Sequence, residues 1–307
     1  MKKFGKFFIM ALAAMFVFGN TYAQDLGEAT EVYNGAATAL NEDKAAEALA
    51  GFQKALSLAE ALGEEGAQIA TDCKGIIPKI MMKLGKEAAV AKDFDGAATN
   101  LKNAMAKATE WGDAATAADA KETLVLIYIQ EGNGLLNEKK YAEAVAEYEK
   151  ALAEDADNGM AHLRLGMCKA QLGDAAAAIA SFEKAIEFGQ ADNAKKQLVG
   201  VYTKVANNSL RAKDLQGAFD NAKKALEYGE NPNAYKIGGT AAVSLKKWND
   251  AVELLSKAKA DANVNYNLAK SYEALGNGAK ACEFYKLIAN DAKLGEFAKS
   301  KVTALCK

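Results

Sequence analysis

The chain has little of the residues on which most enzyme and metal chemistry depends. Among 307 residues it has a single histidine, His162, and only two prolines and four cysteines. One histidine excludes a zinc site built on two histidines. The sequence also lacks a phosphate-binding loop and the G-x-S-x-G, H-E-x-x-H and C-x-x-C motifs. We therefore predict a noncatalytic protein with no metal site and no cofactor.

Long apolar runs are scarce as well, and the only prominent one stands at the N-terminus. It extends from Phe7 to Phe18, follows three lysines and precedes Thr-Tyr-Ala. This order is typical of a secretory signal peptide, so we predict that residues 1–23 are removed after Ala23. Because the run is shorter than the about 20 residues of a membrane-spanning helix, an uncleaved anchor is the weaker alternative. After cleavage we expect no integral membrane segment, and a location in the periplasm or at the outer membrane of a Gram-negative bacterium.

A strong charge of either sign is also missing. The chain has 38 Lys and Arg against 40 Asp and Glu, a formal net charge of −2. Proteins that bind nucleic acid generally present a concentrated basic surface, which this sequence does not have. We therefore expect no nucleic-acid partner.

What the sequence has in abundance is one helical pattern, repeated seven times. Each copy places a small residue near the start of a helix and usually a second one seven positions later, as in Ala144 and Ala151. Four positions after the first comes a larger residue, such as Tyr148, with Ala222 as the exception. The copies are DKAAEALAGFQKALSLA, KDFDGAATNLKNAMAKA, KKYAEAVAEYEKALAED, GDAAAAIASFEKAIEFG, KDLQGAFDNAKKALEYG, KKWNDAVELLSKAKADA and GNGAKACEFYKLIAND. Spacings of four and seven fall on one face of an α-helix, so small residues allow close approach of a neighbouring helix.

A second helical stretch precedes each copy, and the two together resemble a tetratricopeptide repeat, a helix-turn-helix unit of about 34 residues. The resemblance is clearest in AHLRLGMCKAQLGDAAAAIASFEKAIEFG and YNLAKSYEALGNGAKACEFYKLI. It implies an all-α fold, a right-handed α-solenoid of about seven units over residues 24–307. The predicted units span 29–62, 66–111, 114–158, 159–192, 193–231, 232–261 and 262–291, and a capping helix covers 293–307. The first two intervals between repeats are long, which predicts extended first helices near 66–91 and 114–138, with a kink or a new start at Pro78.

In the family that the chain resembles, the first helices of successive units line a groove that holds a peptide or a partner's helix. Carried over to this sequence, the resemblance predicts a scaffold of the cell envelope whose groove binds a protein or peptide partner. The predicted groove residues are Asn133, Asn137, Met167, Gln171, Asn207, Arg211, Lys236, Tyr266 and Lys270. Asparagine amides can pair with a peptide backbone as donor and acceptor, and the cations favour an acidic or carboxylate group. The alternative is binding of a saccharide or other small ligand, which would require an aromatic-lined pocket.

The predicted capping helix could bring two cysteines close together. If it runs antiparallel to the second helix of the last unit, Cys306 returns to the start of that helix, near Cys282. In an oxidising compartment a disulfide between them is one expectation, and two buried thiols are the other. Cys73 and Cys168 fall in different units and are expected to be buried apolar side chains.

Overall fold

The structure, a computed structural model, describes residues 22–306. Within that range the chain forms fifteen α-helices and one short 3₁₀ helix, Gly63–Gly66, with no β-strand. The α-helices are α1 (Tyr22–Asn41), α2 (Ala45–Ala61), α3 (Ala67–Val90), α4 (Phe94–Glu110), α5 (Ala114–Asn137), α6 (Tyr141–Glu154), α7 (Gly159–Leu172), α8 (Ala175–Glu187), α9 (Ala191–Arg211), α10 (Leu215–Tyr228), α11 (Pro232–Ser244), α12 (Trp248–Lys257), α13 (Ala262–Ala274), α14 (Gly278–Leu287) and α15 (Gly295–Leu305). The prediction of an all-α repeat fold is confirmed.

The predicted signal peptide falls almost wholly outside the described residues, since only Tyr22 and Ala23 belong to α1. Cleavage after Ala23 therefore stays a prediction. Between residues 22 and 306, no helix is both long and apolar enough to cross a membrane.

The helices form two compact modules. The N-terminal module comprises residues 22–139 and 146–156, and the C-terminal module comprises 140–145 and 157–306. Within the first, each of α1 to α4 packs on the next helix along the chain; within the second, each of α7 to α14 does the same. Packing between consecutive helices is what a repeat array requires, because each hairpin buries its apolar face against its neighbours.

Short turns connect the two helices of most repeats, and their sequence explains their geometry. Before α10, Lys213 takes a left-handed backbone angle with φ of 63°, and Asp214 then caps the new helix by accepting a hydrogen bond from the Gly217 amide at 2.9 Å. A left-handed residue ends a helix and a short polar side chain begins one. The same cap recurs at the starts of α4, α8 and α14, with Asp93, Asp174 and Asn277.

The core of each hairpin combines a small residue on the first helix with a large one on the second. In the fourth repeat, Phe182 of α8 is fully buried between Ala178 and Ala185, and faces Gly166 of α7. A methyl group on Gly166 would lie only 2.7 Å from the Phe182 ring. Glycine is therefore needed here for space, and the close approach of the two helices depends on it.

The long first helices explain the long intervals between the first repeats. Both α3 and α5 contain 24 residues. Pro78 lies inside α3 and is buried, and the helix continues through it. The helix therefore does not start afresh at Pro78, and a kink there stays a prediction.

Candidate functional site

A cleft of about 710 Å³ lies on the first-helix face of the C-terminal module. Its walls come from α9, α11 and α13, the first helices of three successive repeats. The lining residues are Gly200, Thr203, Lys204, Asn207 and Leu210 of α9, Asn233, Lys236, Ile237 and Thr240 of α11, and Asn263 and Asn267 of α13. Their spacing of three, four and seven places one continuous stripe of each helix on the cleft.

Four asparagine amides of the cleft have no hydrogen-bond partner among the described residues. They belong to Asn207, Asn233, Asn263 and Asn267, one or two from each wall. Each amide offers two donor hydrogens and one acceptor oxygen, which is the pattern a peptide group requires from a partner. None of the described lining residues is acidic, and Lys204 is exposed and makes no ion pair in residues 22–306. The cleft can therefore hydrogen-bond a backbone and attract a negative group.

Lys236, a predicted groove residue, lies in this cleft but is already paired. Its ammonium group bonds the carboxylate of Asp261, the N-cap residue of α13. Burial disfavours the charged carboxylate, but the bond from Lys236 and the Val264 amide at 2.9 Å outweigh that cost, so the pKa of Asp261 is lowered. Lys236 thus ties α11 to α13, and its charge is partly neutralised within the protein.

The structure separates the other predicted groove residues. Asn207 lines the cleft with Lys236, whereas Arg211 is exposed at the end of α9 beyond the lining residues. On α7, Met167 is half-buried against the core and Gln171 is exposed. Lys270 is exposed on α13, and Tyr266 turns to α15, where its ring contacts Phe297 at a centroid distance of 5.8 Å.

Asn133 and Asn137 belong to α5, in the N-terminal module. Asn133 is half-buried and its side-chain oxygen accepts a hydrogen bond from the Tyr148 hydroxyl at 2.9 Å. It positions the buried ring of that repeat, and its acceptor oxygen is in use within the protein. Asn137 is exposed near the end of the helix.

Sequence reasoning missed Asn233, Asn263 and Asn267. The available signal was their helical spacing, since Asn263 and Asn267 are four residues apart on the helix that carries Tyr266 and Lys270. Tyr266 and Lys270 are also four residues apart. The two asparagines line the cleft with α11, whereas Tyr266 turns to α15. The rotation of α13 about its own axis decides between them.

The C-terminal helix closes the module by a covalent bond and a polar network. Cys282 of α14 and Cys306, which follows α15, form a disulfide with their Cα atoms 5.6 Å apart. Beside it, Glu273 of α13 accepts hydrogen bonds from the Tyr285 hydroxyl at 2.9 Å and from the ammonium group of Lys301 on α15. The bond from Lys301 lowers the pKa of Glu273 in spite of burial, and burial with the Glu273 bond raises the pKa of Tyr285.

The remaining cysteines are fully buried free thiols. Burial raises the pKa of Cys73 to about 12 and that of Cys168 to about 11. Both are therefore protonated at neutral pH and unreactive in the folded protein. In residues 22–306 no three His, Cys, Asp or Glu side chains come together as metal ligands.

Comparison with known proteins agrees with this architecture. The stacked helical hairpins define the class, a helical-repeat protein that presents binding surfaces on its helices. Residues 135–200 match the tetratricopeptide repeat family, which confirms the resemblance inferred from the sequence. The match covers these residues of the chain, and the remaining helices share the same hairpin architecture.

Solved structures of other repeat proteins are similar to the chain. They include YrrB, described as a TPR protein with an unusual peptide-binding site, with 22% identity and a TM-score of 0.38 over 57% of this chain and 92% of that one. A thermophilic TPR protein of Thermus thermophilus, TTC0263, has 17% identity and a TM-score of 0.28 over 59% and 98%. A tetratricopeptide repeat protein of Parabacteroides merdae has 13% identity and a TM-score of 0.30 over 94% and 100%. No curated protein matched the chain.

Proposed function

We propose that the protein is a noncatalytic scaffold of the bacterial cell envelope that binds an extended peptide segment of a partner protein in the cleft of α9, α11 and α13. One observation carries the proposal: four side-chain amides from three successive first helices face one cleft, and none has a partner among the described residues. An extended peptide exposes N–H and C=O groups along both edges, and unpaired amides can satisfy both.

The charge of the cleft indicates the kind of segment. Lys204 is free to pair, whereas the charge of Lys236 is shared with Asp261. One uncompensated cation among neutral amides favours a peptide with an acidic side chain or a terminal carboxylate. A binding site specialised for the carboxylate alone would require further free cations, so we expect backbone contacts to supply most of the affinity.

Export is supported by two separate features. The N-terminal sequence has the order of a signal peptide. The disulfide between Cys282 and Cys306 is a bond that persists in oxidising compartments and is rare in the cytosol of mesophiles. Both features support an envelope location, which fractionation of cells that express the tagged chain would test.

Saccharide binding is less well supported. The described residues that line the cleft include no aromatic ring. Tyr33 of α1 is 6% exposed and packs edge-on against Phe52. Sugar rings generally require an accessible aromatic face, and the cleft does not offer one.

The test is selection from a displayed library of random peptides against residues 24–307. The cleft variant replaces Asn207, Asn233 and Asn267 by Ala, and the control variant replaces Asn193, Asn208 and Asn249, three exposed asparagines outside the cleft lining. We expect the wild type and the control to enrich peptides and the cleft variant to lose them. Equal enrichment by the cleft variant, or no enrichment by the wild type, would refute peptide binding at this site.

A further inference from the structure

Phe297, near the start of α15, is the only exposed aromatic side chain in residues 25–306; 44% of its surface is accessible. Its ring is nevertheless held in place. It contacts the rings of Tyr266 and Tyr285 edge-on, at centroid distances of 5.8 and 6.0 Å, and the ammonium group of Lys301 lies 5.7 Å from its centre. A ring fixed by its neighbours but left open to solvent loses little conformational entropy when a ligand covers it.

This ring lies beside the amide-lined cleft rather than on a remote surface. Tyr266, its partner, is on α13 between Asn263 and Asn267, which line the cleft. The separation of three residues places Tyr266 next to Asn263 on the helix surface, at the border between the face that lines the cleft and the face that packs on α15. A peptide that leaves the cleft across α13 therefore meets Tyr266 and then Phe297.

The charges around the ring also suit one kind of peptide. Lys270, one turn after Tyr266, is exposed and makes no ion pair among the described residues. The nearby carboxylate of Glu273 is bonded to Lys301 and Tyr285. Lys270 thus supplies a free positive charge at this edge, as Lys204 does in the cleft, although the carboxylate of Glu296 beside Phe297 is exposed as well.

We propose that Phe297 and Tyr266 form an apolar side-chain pocket at the α15 edge of the cleft, and that it accepts an aromatic or large aliphatic residue of a bound peptide that also carries acidic residues. This inference rests on the proposed function, because the cleft supplies the backbone contacts and positions the peptide. The pocket adds sequence specificity that amides alone cannot provide, since amides contact the backbone common to all peptides.

The test compares three proteins in the same random-peptide selection: the wild type, Phe297→Ser, and Leu287→Ser. Leu287 is the matched control, because it is 67% exposed at the end of α14 and makes none of the ring contacts described above. We expect the wild type and Leu287→Ser to enrich peptides with an aromatic or large aliphatic residue near acidic ones. Phe297→Ser should still enrich acidic peptides but lose the apolar preference.

Affinities of synthetic peptides give the second readout. For a fluorescent peptide from the wild-type selection, we expect about tenfold weaker binding to Phe297→Ser, since burying a phenyl ring contributes on the order of one such factor. Replacing the apolar residue of the peptide by Ala should weaken binding to the wild type equally, and should not weaken binding to Phe297→Ser further. Phe297→Leu, which keeps an apolar side chain, should retain most of the affinity.

The outcomes separate this inference from the function on which it rests. If the wild type selects peptides with no apolar preference, the proposed pocket is wrong but peptide binding in the cleft is supported. If it selects no peptides, both proposals are wrong. An unchanged selection by Phe297→Ser, together with weaker self-association in light scattering, would assign the ring to contact with a second copy and overturn the proposal. Circular dichroism of each variant shows whether α15 has remained folded.

Discussion

Lys236 and Asp261 join two walls of the candidate cleft. The lysine lies on α11 and faces the cleft, and the aspartate is the residue that begins α13. The cation that sequence reasoning assigned to a partner is therefore shared with the protein's own carboxylate. Since both side chains are 41% exposed, a partner's acidic group can compete for the lysine.

Asp261→Asn should strengthen the binding of acidic peptides. The amide oxygen of asparagine can still cap α13, but it carries no charge, so Lys236 becomes free to attract a ligand. We expect affinity to rise by up to about fivefold at low salt, because an exposed ion pair contributes at most about 1 kcal/mol. Fluorescence anisotropy with a peptide from the selection measures this.

Lys236→Gln is the matched variant, and it should change affinity much less in the wild-type background than in Asp261→Asn. If the substitution at Lys236 has equal effects in both backgrounds, the ion pair does not control the charge of the cleft. The gain should also shrink as salt is added.

Two glycines of α5 provide a direct test of helix packing. A methyl group at Gly132 would lie 2.8 Å from the buried ring of Tyr148, whereas one at Gly134 would meet nothing within 4 Å. Gly132→Ala should lower the free energy of unfolding by about 1–3 kcal/mol, because the ring and the helix must move apart. Gly134→Ala should raise it by about 0.5–1 kcal/mol, because alanine favours the helix. Urea unfolding of both variants gives the comparison, and equal effects would contradict the packing.

Much of the fold was predictable from the sequence because the small-residue pattern is local. Ala178 and Phe182 define the buried face of their helix by spacing alone, and the capping residue Asp174 defines where that helix begins. Such features depend on contacts within one hairpin. The sequence therefore indicated the helices and the order of the repeats well.

The site was less predictable because it depends on relations between repeats. Asn207 and Lys236 were predicted to face a groove and do line the cleft. However, the partner of Lys236 is Asp261, 25 residues away and on another helix. A small rotation of α13 also decides whether Asn267 or Tyr266 faces the cleft, and helical spacing does not determine rotation.

The four cysteines should react in two distinct ways. In the folded, oxidised protein we expect no alkylation, because Cys282 and Cys306 are bonded and the raised pKa values of Cys73 and Cys168 leave almost no thiolate. After mild reduction, two alkyl groups should be added, at Cys282 and Cys306. Intact-mass analysis gives the number of alkyl groups added, and peptide mapping shows which cysteines carry them.

The double variant Cys282→Ser/Cys306→Ser should be less stable by about 3 kcal/mol, the usual contribution of a disulfide that closes a loop of this length. An unchanged mass on reduction would show that the bond is absent from the protein. Alkylation of Cys73 or Cys168 before unfolding would instead show that the hairpins open readily.

Attachment of α15 should weaken in acid through Glu273. Its pKa is lowered chiefly by the bond from Lys301, with burial acting against this and the Tyr285 hydroxyl adding to it. The folded state therefore favours the carboxylate, and the stabilisation is complete well above 4.5, the ordinary pKa of the group. It is lost as the pH falls through 4.5 and then through the lower pKa of the folded state.

Glu273→Gln, which keeps the shape without the charge, should thus lower the melting temperature at pH 7 and make little difference at about pH 3. The melting temperatures of wild type and variant at the two pH values test this, with Glu253→Gln on the exposed face of α12 as control. A difference that persists undiminished in acid would mean that the charge of Glu273 does not hold α15 in place.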